Sequence, residues 1–317
     1  MKVIFKIIGW LFLLLILAIT AFIIINWVPD QSVDTLKERW AQPPSEFIEI
    51  ADMQVHIRDE GRGDDPIPIV LLHGTSASLH TWDGWVNALE AERRMIRYDM
   101  PGFGLTGPSP DNNYTIENYS KVLIALLDHL KIDQAILVGN SLGGNVAITT
   151  AILYPDRVDR LVLIDSSGYV FEPKSIPIGF KIASTPVINK LMEKVLPRSV
   201  VETSVKNVYG DASLVTPELV ERYYDLTTRS GNRRALALRL NQMRPGKYVN
   251  RFSEINIPTL IMWGDLDRLI PPELGEKFQK NIKRSQLVRF KDLGHVPQEE
   301  NPIKTVAAFK SFLDQSN

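Results

Sequence analysis

The chain has 317 residues, 44% hydrophobic and 23% charged, with a formal net charge of −1. That composition is globular rather than disordered, and it gives no overall argument for nucleic acid as a partner. Cysteine is absent, which excludes disulfides, a cysteine nucleophile and thiolate metal sites.

The N-terminus differs from the rest. Ile7 to Ile25 contains no charged residue, and as a helix such a stretch approaches the ~30 Å hydrocarbon thickness of a bilayer. Lys2 and Lys6 precede it, Asp30 and Asp34 follow, and Trp10 and Trp27 sit near its ends, where aromatic rings favour the interface. Residues 1–28 are therefore read as an uncleaved transmembrane anchor. A cleaved signal peptide is the competing reading, but the apolar run is long for one and no A-x-A pattern follows it. The basic flank implies a cytoplasmic N-terminus, with the remainder on the outer (periplasmic or extracellular) side. Residues 29–44 are polar, end in Pro43-Pro44 and read as a tether.

Strand patterns begin after Ser45. FIEI (47–50) and QVHIRDE (54–60) alternate as a hairpin does. IPIVLLHG (67–74) is a continuous apolar run, the mark of a strand buried on both faces. Similar runs recur at 93–104, 134–141, 159–167, 257–265 and 285–295, most of them separated by helical patterns such as IENYSKVLIALLDHL (116–130). The alternation predicts an α/β fold, a mostly parallel sheet with helices on both faces. One interval breaks it. Residues 168–251 show helix patterns and no buried strand, among them TPELVERYYDLTTR with Thr216 as N-cap and Pro217 in the first turn. This interval reads as a helical cap inserted into a core formed by 45–167 and 252–317. It carries 14 Lys/Arg against 7 Asp/Glu. The excess reads first as a solvated surface and second as a face toward an anionic membrane or ligand.

Gly139-Asn140-Ser141-Leu142-Gly143 matches G-x-S-x-G between a buried strand and a helix. In that setting a sharp turn exposes the serine Oγ at the end of the sheet, and the following helix N-terminus stabilises developing negative charge. A nucleophilic serine needs a base. Of the five histidines only His295 follows Ser141, as the chain order serine, acid, histidine requires. Asp265, Asp267 and Asp165 compete for the acid, because aspartate is also a common turn former at strand ends. Asp267, three residues past Gly264, is chosen, and Asp265 is expected to cap the turn. The backbone amides of Leu142 and Thr75 are the expected oxyanion donors, with the His73 side chain merely holding its turn.

LLHGTSASLHTW, YDMPGFGLT, GNSLGG, WGDLDRLIPP and GHVPQEENP stand in that order, and together they resemble the recurrent blocks of the α/β-hydrolase superfamily over roughly 47–314. The resemblance implies an α/β-hydrolase fold, a serine nucleophile and a cap over an apolar acyl pocket. GNSLGG and SLVTPELVERYYDLTTR are also similar to hydrolases that cleave carbon–carbon bonds in ring-fission products. Those enzymes typically carry a cap arginine where this helix has Tyr223 beside Arg222, and a tryptophan where it has Val296. The N-terminal anchor instead resembles membrane-bound monoacylglycerol lipases and esterases. The expectation is a membrane-anchored carboxylic-ester hydrolase acting on a small acyl ester or lipid through Ser141, Asp267 and His295, with no metal and no organic cofactor. The alternatives are a C–C bond hydrolase and, from another class, a non-catalytic ligand-binding protein of the same fold.

Overall fold

The computed structural model describes residues 2–315. The chain runs α1 (Lys2–Ile25), α2 (Val33–Trp40), β1 (Glu46–Ile50), β2 (Met53–Gly61), β3 (Ile69–Leu72), α3 (Asp83–Leu89), β4 (Arg94–Tyr98), α4 (Ile116–His129), β5 (Ala135–Asn140), α5 (Leu142–Leu153) and β6 (Val158–Ile164). The inserted helices follow: α6 (Ile178–Ser184), α7 (Ile188–Met192), α8 (Arg198–Val208), α9 (Pro217–Thr228) and α10 (Asn232–Gln242). The core then resumes with β7 (Thr259–Gly264), α11 (Glu273–Asn281), β8 (Ser285–Phe290), α12 (Pro297–Glu300) and α13 (Pro302–Gln315).

The eight strands form one sheet in the order β1-β2-β4-β3-β5-β6-β7-β8. β2 pairs antiparallel with β1 and β4, and every other pair is parallel. The alternation of side chains along each strand divides the core in two. Val70, Leu72, Leu137, Leu161 and Leu163 face α4, α5 and α11. Ile69, Leu71, Ile136, Val138 and Val162 face the other way, with Trp85 of α3 and Phe309 of α13. Both faces are covered, which is why these strands read as unbroken apolar runs. The chain leaves β3 toward β4 on one side and returns to β5 on the other. The carboxyl ends of β3 and β5 therefore flank a crevice, the usual ligand position in an open parallel sheet.

The most apolar 18 residues of α1 have a mean hydropathy of 3.0, and no residue of the helix is buried. Its 24 residues span about 36 Å, so it is a candidate membrane span. Its end is joined to the cap by backbone. Val28 N donates to Lys194 O (2.8 Å), Leu196 N to Asn26 O (3.0 Å) and Gln31 N to Thr228 O (2.9 Å). Asp30 pairs with Arg233 at 2.7 Å and with Lys194 at 3.2 Å.

The segment expected to be a tether is partly helical and docked. Ser32 Oγ caps α2 by accepting from Thr35 N (3.1 Å). Leu36, the apolar residue on its inner face, packs with Leu105 and Leu226, and Trp40 Nε1 donates to Asp225 (2.9 Å). Leu36→Ala should cost about 2–4 kcal/mol by leaving a cavity. Thermal unfolding should also rank a chain starting at Ser45 below one starting at Asn26. Equal midpoints would show that α2 adds nothing to the fold.

Candidate active site

The turn after β5 is built by close backbone approach. Ser141 has φ 55° and ψ −112°, a left-handed conformation that costs a non-glycine residue on the order of 1–3 kcal/mol. A Cβ on Gly139 would overlap the backbone of Gly143, and one on Gly143 would overlap the carbonyl of Leu72. Only glycine allows β3, the turn and α5 to pack this tightly. Ser141 N donates to Ile164 O (3.0 Å), and Ser141 O accepts from Ser167 N (3.1 Å) and Asn145 N (3.2 Å). The backbone is thus locked while Oγ stays at the cavity wall.

His295 is held from four directions. Its Nδ1 lies 2.7 Å from Asp267 Oδ2. Its amide donates to Val208 O at the end of α8 (2.8 Å). Its carbonyl accepts from Asn140 Nδ2 (2.9 Å), next to the serine. The preceding Gly294 N donates to Glu300 Oε1, while Gly210 N in the cap donates to Glu300 Oε2, both at 2.8 Å. Asp267 is equally fixed, since its Oδ1 accepts from Leu269 N (2.7 Å) and Ile270 N (2.9 Å). With Nδ1 donating to a carboxylate, Nε2 is the basic nitrogen. Ser141 and His295 line one cavity, although no hydrogen bond joins Oγ to the ring among the described residues. Such contacts commonly close only with substrate present.

The other two acids have separate roles. Asp265 was expected to cap the turn. Instead Asp267 accepts the turn amides, and Asp265 pairs with Arg289 (2.6 Å) at the surface. Asp165 is fully buried, with Oδ1 accepting from Gly264 N (3.0 Å) and Oδ2 unpartnered. One polar atom from each of Asp165, Asp267 and His295 lies within 4.8 Å of the others. Burial first, and the neighbouring Asp267 charge second, push the Asp165 carboxyl well above its ordinary value. Both effects favour its protonated form beside the Asp267–His295 pair. A metal is a poor fit here, because Asp267 and Nδ1 already spend their lone pairs and proton on each other and on backbone amides.

Leu142 begins α5, so its amide has no intrahelical acceptor. Thr75 and Leu142 both line the space in front of Ser141. His73 holds the turn as expected, with Nδ1 donating to Gly74 O (2.7 Å) and Nε2 accepting from Met100 N (2.9 Å).

Two cavities meet at Ser141. One, about 130 Å³, runs under the cap between Phe180, Ile182, Val200, Val205 and Val296 and is almost wholly apolar. The other, about 350 Å³, is bounded by α4, α10 and the loop after β6. Tyr223 lines the first cavity, and its hydroxyl donates to Glu299 (3.0 Å). Arg222 is spent on the same Glu299 and lines neither cavity. Asn140, Glu299 and Glu300 were not singled out in the sequence. GNSLGG and GHVPQEENP contain them, but their partners lie far away in the chain.

A doubly wound sheet, a serine on a strained strand-to-helix turn and a histidine–aspartate pair at the same crevice define an α/β hydrolase. The family model described as "alpha/beta hydrolase fold" matches residues 67–302, and the chain belongs to that family. It is 32% identical over 274 residues to 2-hydroxy-6-oxo-2,4-heptadienoate hydrolase of Pseudomonas putida F1, covering 82% of this chain and 93% of that one. Among solved structures it resembles a thermophilic esterase of Thermogutta terrifontis, with 26% identity and a TM-score of 0.70 over 83% of this chain and 94% of the esterase. A bacterial membrane phospholipase A matches in fold over 100% of this chain and 99% of its own, with 20% identity and a TM-score of 0.74. The chain is a hydrolase of this superfamily.

The two buried carboxyls give opposite predictions. Asp267→Asn should lose at least about 100-fold in turnover, whereas Asp165→Asn and Asp265→Asn should stay within about tenfold. Asp165 also predicts a pH effect. Its folded-state pKa is raised above the ordinary 3.8. Its stabilising contribution is therefore complete below that value and is lost as pH rises through the folded-state pKa. Asparagine cannot ionise. The melting temperature of Asp165→Asn relative to the parent should rise as the pH is raised above the ordinary 3.8. A pH-independent difference would mean that folding does not raise the Asp165 pKa.

Proposed function

We propose that the protein is a membrane-anchored serine hydrolase of carboxylic esters, with Ser141 as nucleophile and His295 as general base. The observation that carries this is the strained Ser141 turn opening onto the cavity that His295, backed by Asp267, also lines. Ser141 Oγ attacks the ester carbonyl as its proton passes to His295 Nε2. The Asp267 carboxylate orients the ring and stabilises the imidazolium. The amides of Leu142 and Thr75 take the oxyanion. Collapse expels the alcohol, which receives the proton from His295. Water then attacks the acyl-enzyme by the same route and releases the acid. Besides the substrate and one water, these steps use only this chain's own groups.

The narrow apolar cavity under the cap supports an acyl or alkyl chain on the substrate. The junction between the end of α1 and residues 194–196 of the cap supports delivery of amphiphilic esters from a bilayer. So do the exposed apolar side chains of Val187, Ile188 and Leu191, in and beside the α7 helix that immediately precedes that junction in the chain. On this reading α1 remains attached, Lys2 and Lys6 stay on the cytoplasmic side, and the enzyme faces outward.

A second reading has specific support. A relative 32% identical cleaves a dienoate, so C–C hydrolysis at the same serine competes. Against it stand Val296 directly after His295 and Tyr223 in the cap helix, where the resemblance calls for tryptophan and arginine.

A panel of p-nitrophenyl esters, monoacylglycerols and a 2-hydroxy-6-oxo-dienoate separates the two readings. The esters should exceed the dienoate in kcat/KM by at least about 100-fold, and the reverse order would replace the ester reading with the C–C one. Ser141→Ala should fold normally and lose at least about 1,000-fold in kcat. Full-length protein should fractionate with membranes. A native N-terminus found by mass spectrometry near Ala21 would identify α1 as a cleaved leader instead.

A further inference from the structure

The larger cavity contains a buried cation without a counter-ion. Three arginines are less than one-tenth exposed. Arg97 pairs with Glu60 at 2.8 Å, and Arg233 pairs with Asp30 at 2.7 Å. Arg239, on α10, is 6% exposed and has no carboxylate partner among the described residues. Its Nε and Nη1 are buried and make no hydrogen bond. The one titratable group that bears on it is the neutral Tyr119 hydroxyl, itself donating to Pro101 O (3.0 Å). The nearest acid on the cavity wall, Glu117, is already taken by Lys247 and by the Tyr248 hydroxyl, each at 2.6 Å. Burying a guanidinium away from both water and an anion is costly, and an apolar side chain would fill the same space without that cost. The cavity that Arg239 lines continues to Ser141 and Leu142, and Arg244 and Lys247 also line it. Lys247 is paired with Glu117, so Arg244 is the further cation that adds positive potential to this cavity.

We propose that the Arg239 branch binds a single anionic group, a carboxylate or a phosphate, carried by the same substrate whose scissile carbonyl lies at Ser141. As a statement about substrate this rests on the ester-hydrolase reading, but as a statement about binding it does not. The guanidinium offers a planar fork of donors suited to either oxyanion. The substrate is then an amphiphile, with an apolar chain in the smaller cavity, a charged end at Arg239 and the reacting carbonyl between them. The anion site is separate from the cap-helix position held by Tyr223.

The test uses the full chain carrying Ser141→Ala, so that binding is read without turnover. Butyrate, butyl phosphate and 1-butanol are titrated by calorimetry. At least one anion should bind tenfold or more tightly than butanol, and whichever anion binds better identifies the oxyanion class. Arg239→Met should erase the preference and Arg239→Lys should retain part of it. Methionine keeps the bulk and removes the charge, so the variant should fold. Three equal affinities, no saturable anion binding, or an equal loss for butanol and the anions in Arg239→Met would overturn the site. In the parent enzyme, kcat/KM for a monoalkyl succinate relative to its neutral diester should fall at least tenfold on Arg239→Met if the site takes a carboxylate. Lysophosphatidic acid relative to monoacylglycerol should do so if it takes a phosphate. Loss of both members of a pair to the same extent would reduce Arg239 to a structural role. Protein that binds the anions through Arg239 but hydrolyses no ester would overturn the ester reading and leave the anion site standing.

Discussion

The left-handed backbone at Ser141 is the constraint on which the rest of the site depends. A serine does not adopt that conformation unaided, so the surroundings must impose it. The imposition comes from three adjacent strands. β3 contributes the Leu72 carbonyl that only a glycine at position 143 can approach, and β6 contributes the Ile164 carbonyl that accepts the Ser141 amide. β5 runs straight into the turn between them. Because all three are parallel and buried on both faces, their ends are fixed relative to one another by some of the best-packed residues in the molecule. The energy that strains the turn is a small fraction of what that packing supplies.

The histidine depends on a different set of contacts, and the cap is one of them. Val208 O accepts the His295 amide, and a single carboxylate, Glu300, receives Gly294 N on the core side and Gly210 N on the cap side. Hydrogen bonds to a charged acceptor contribute about 1.5–3 kcal/mol each, so the cap end of α8 is anchored to the loop that carries His295. The same cap is joined at Lys194–Leu196 and Thr228–Ser230 to the chain emerging from α1. One continuous set of backbone hydrogen bonds thus runs from the apolar N-terminal helix through the cap to the His295 loop. The apolar cavity lies inside this frame rather than under a freely hinged flap.

Much of this was legible in the residues. The buried strands announced themselves as apolar runs, and the serine and histidine followed from the G-x-S-x-G turn and from there being one histidine downstream of it. Asp267, chosen as the acid from its place after Gly264, lies 2.7 Å from His295 Nδ1. What the sequence did not disclose depends on partners distant in the chain. α2 looks like a tether in the sequence because its one fully buried residue, Leu36, has meaning only beside Leu105 and Leu226. Asp265 looked like the turn cap, because nothing local reveals that Arg289 on the next strand claims it. Asp165 looks like an ordinary strand-end aspartate in the sequence, because its burial and the neighbouring Asp267, which together raise its pKa, are set by the fold. Arg239 is one of many basic residues in a charge-rich cap, and what distinguishes it is deep burial without a carboxylate partner among the described residues.

The central claim is that Ser141 is a nucleophile activated by His295, and covalent trapping tests it without assuming a substrate. Full-length protein treated with a fluorophosphonate should gain one phosphonyl group, and fragmentation of the peptide containing residues 136–148 should assign it to Ser141. His295→Gln should label far more slowly while keeping the same melting temperature. An intact, folded protein that remains unlabelled, or that labels at another serine at the same rate with and without His295, would contradict the account.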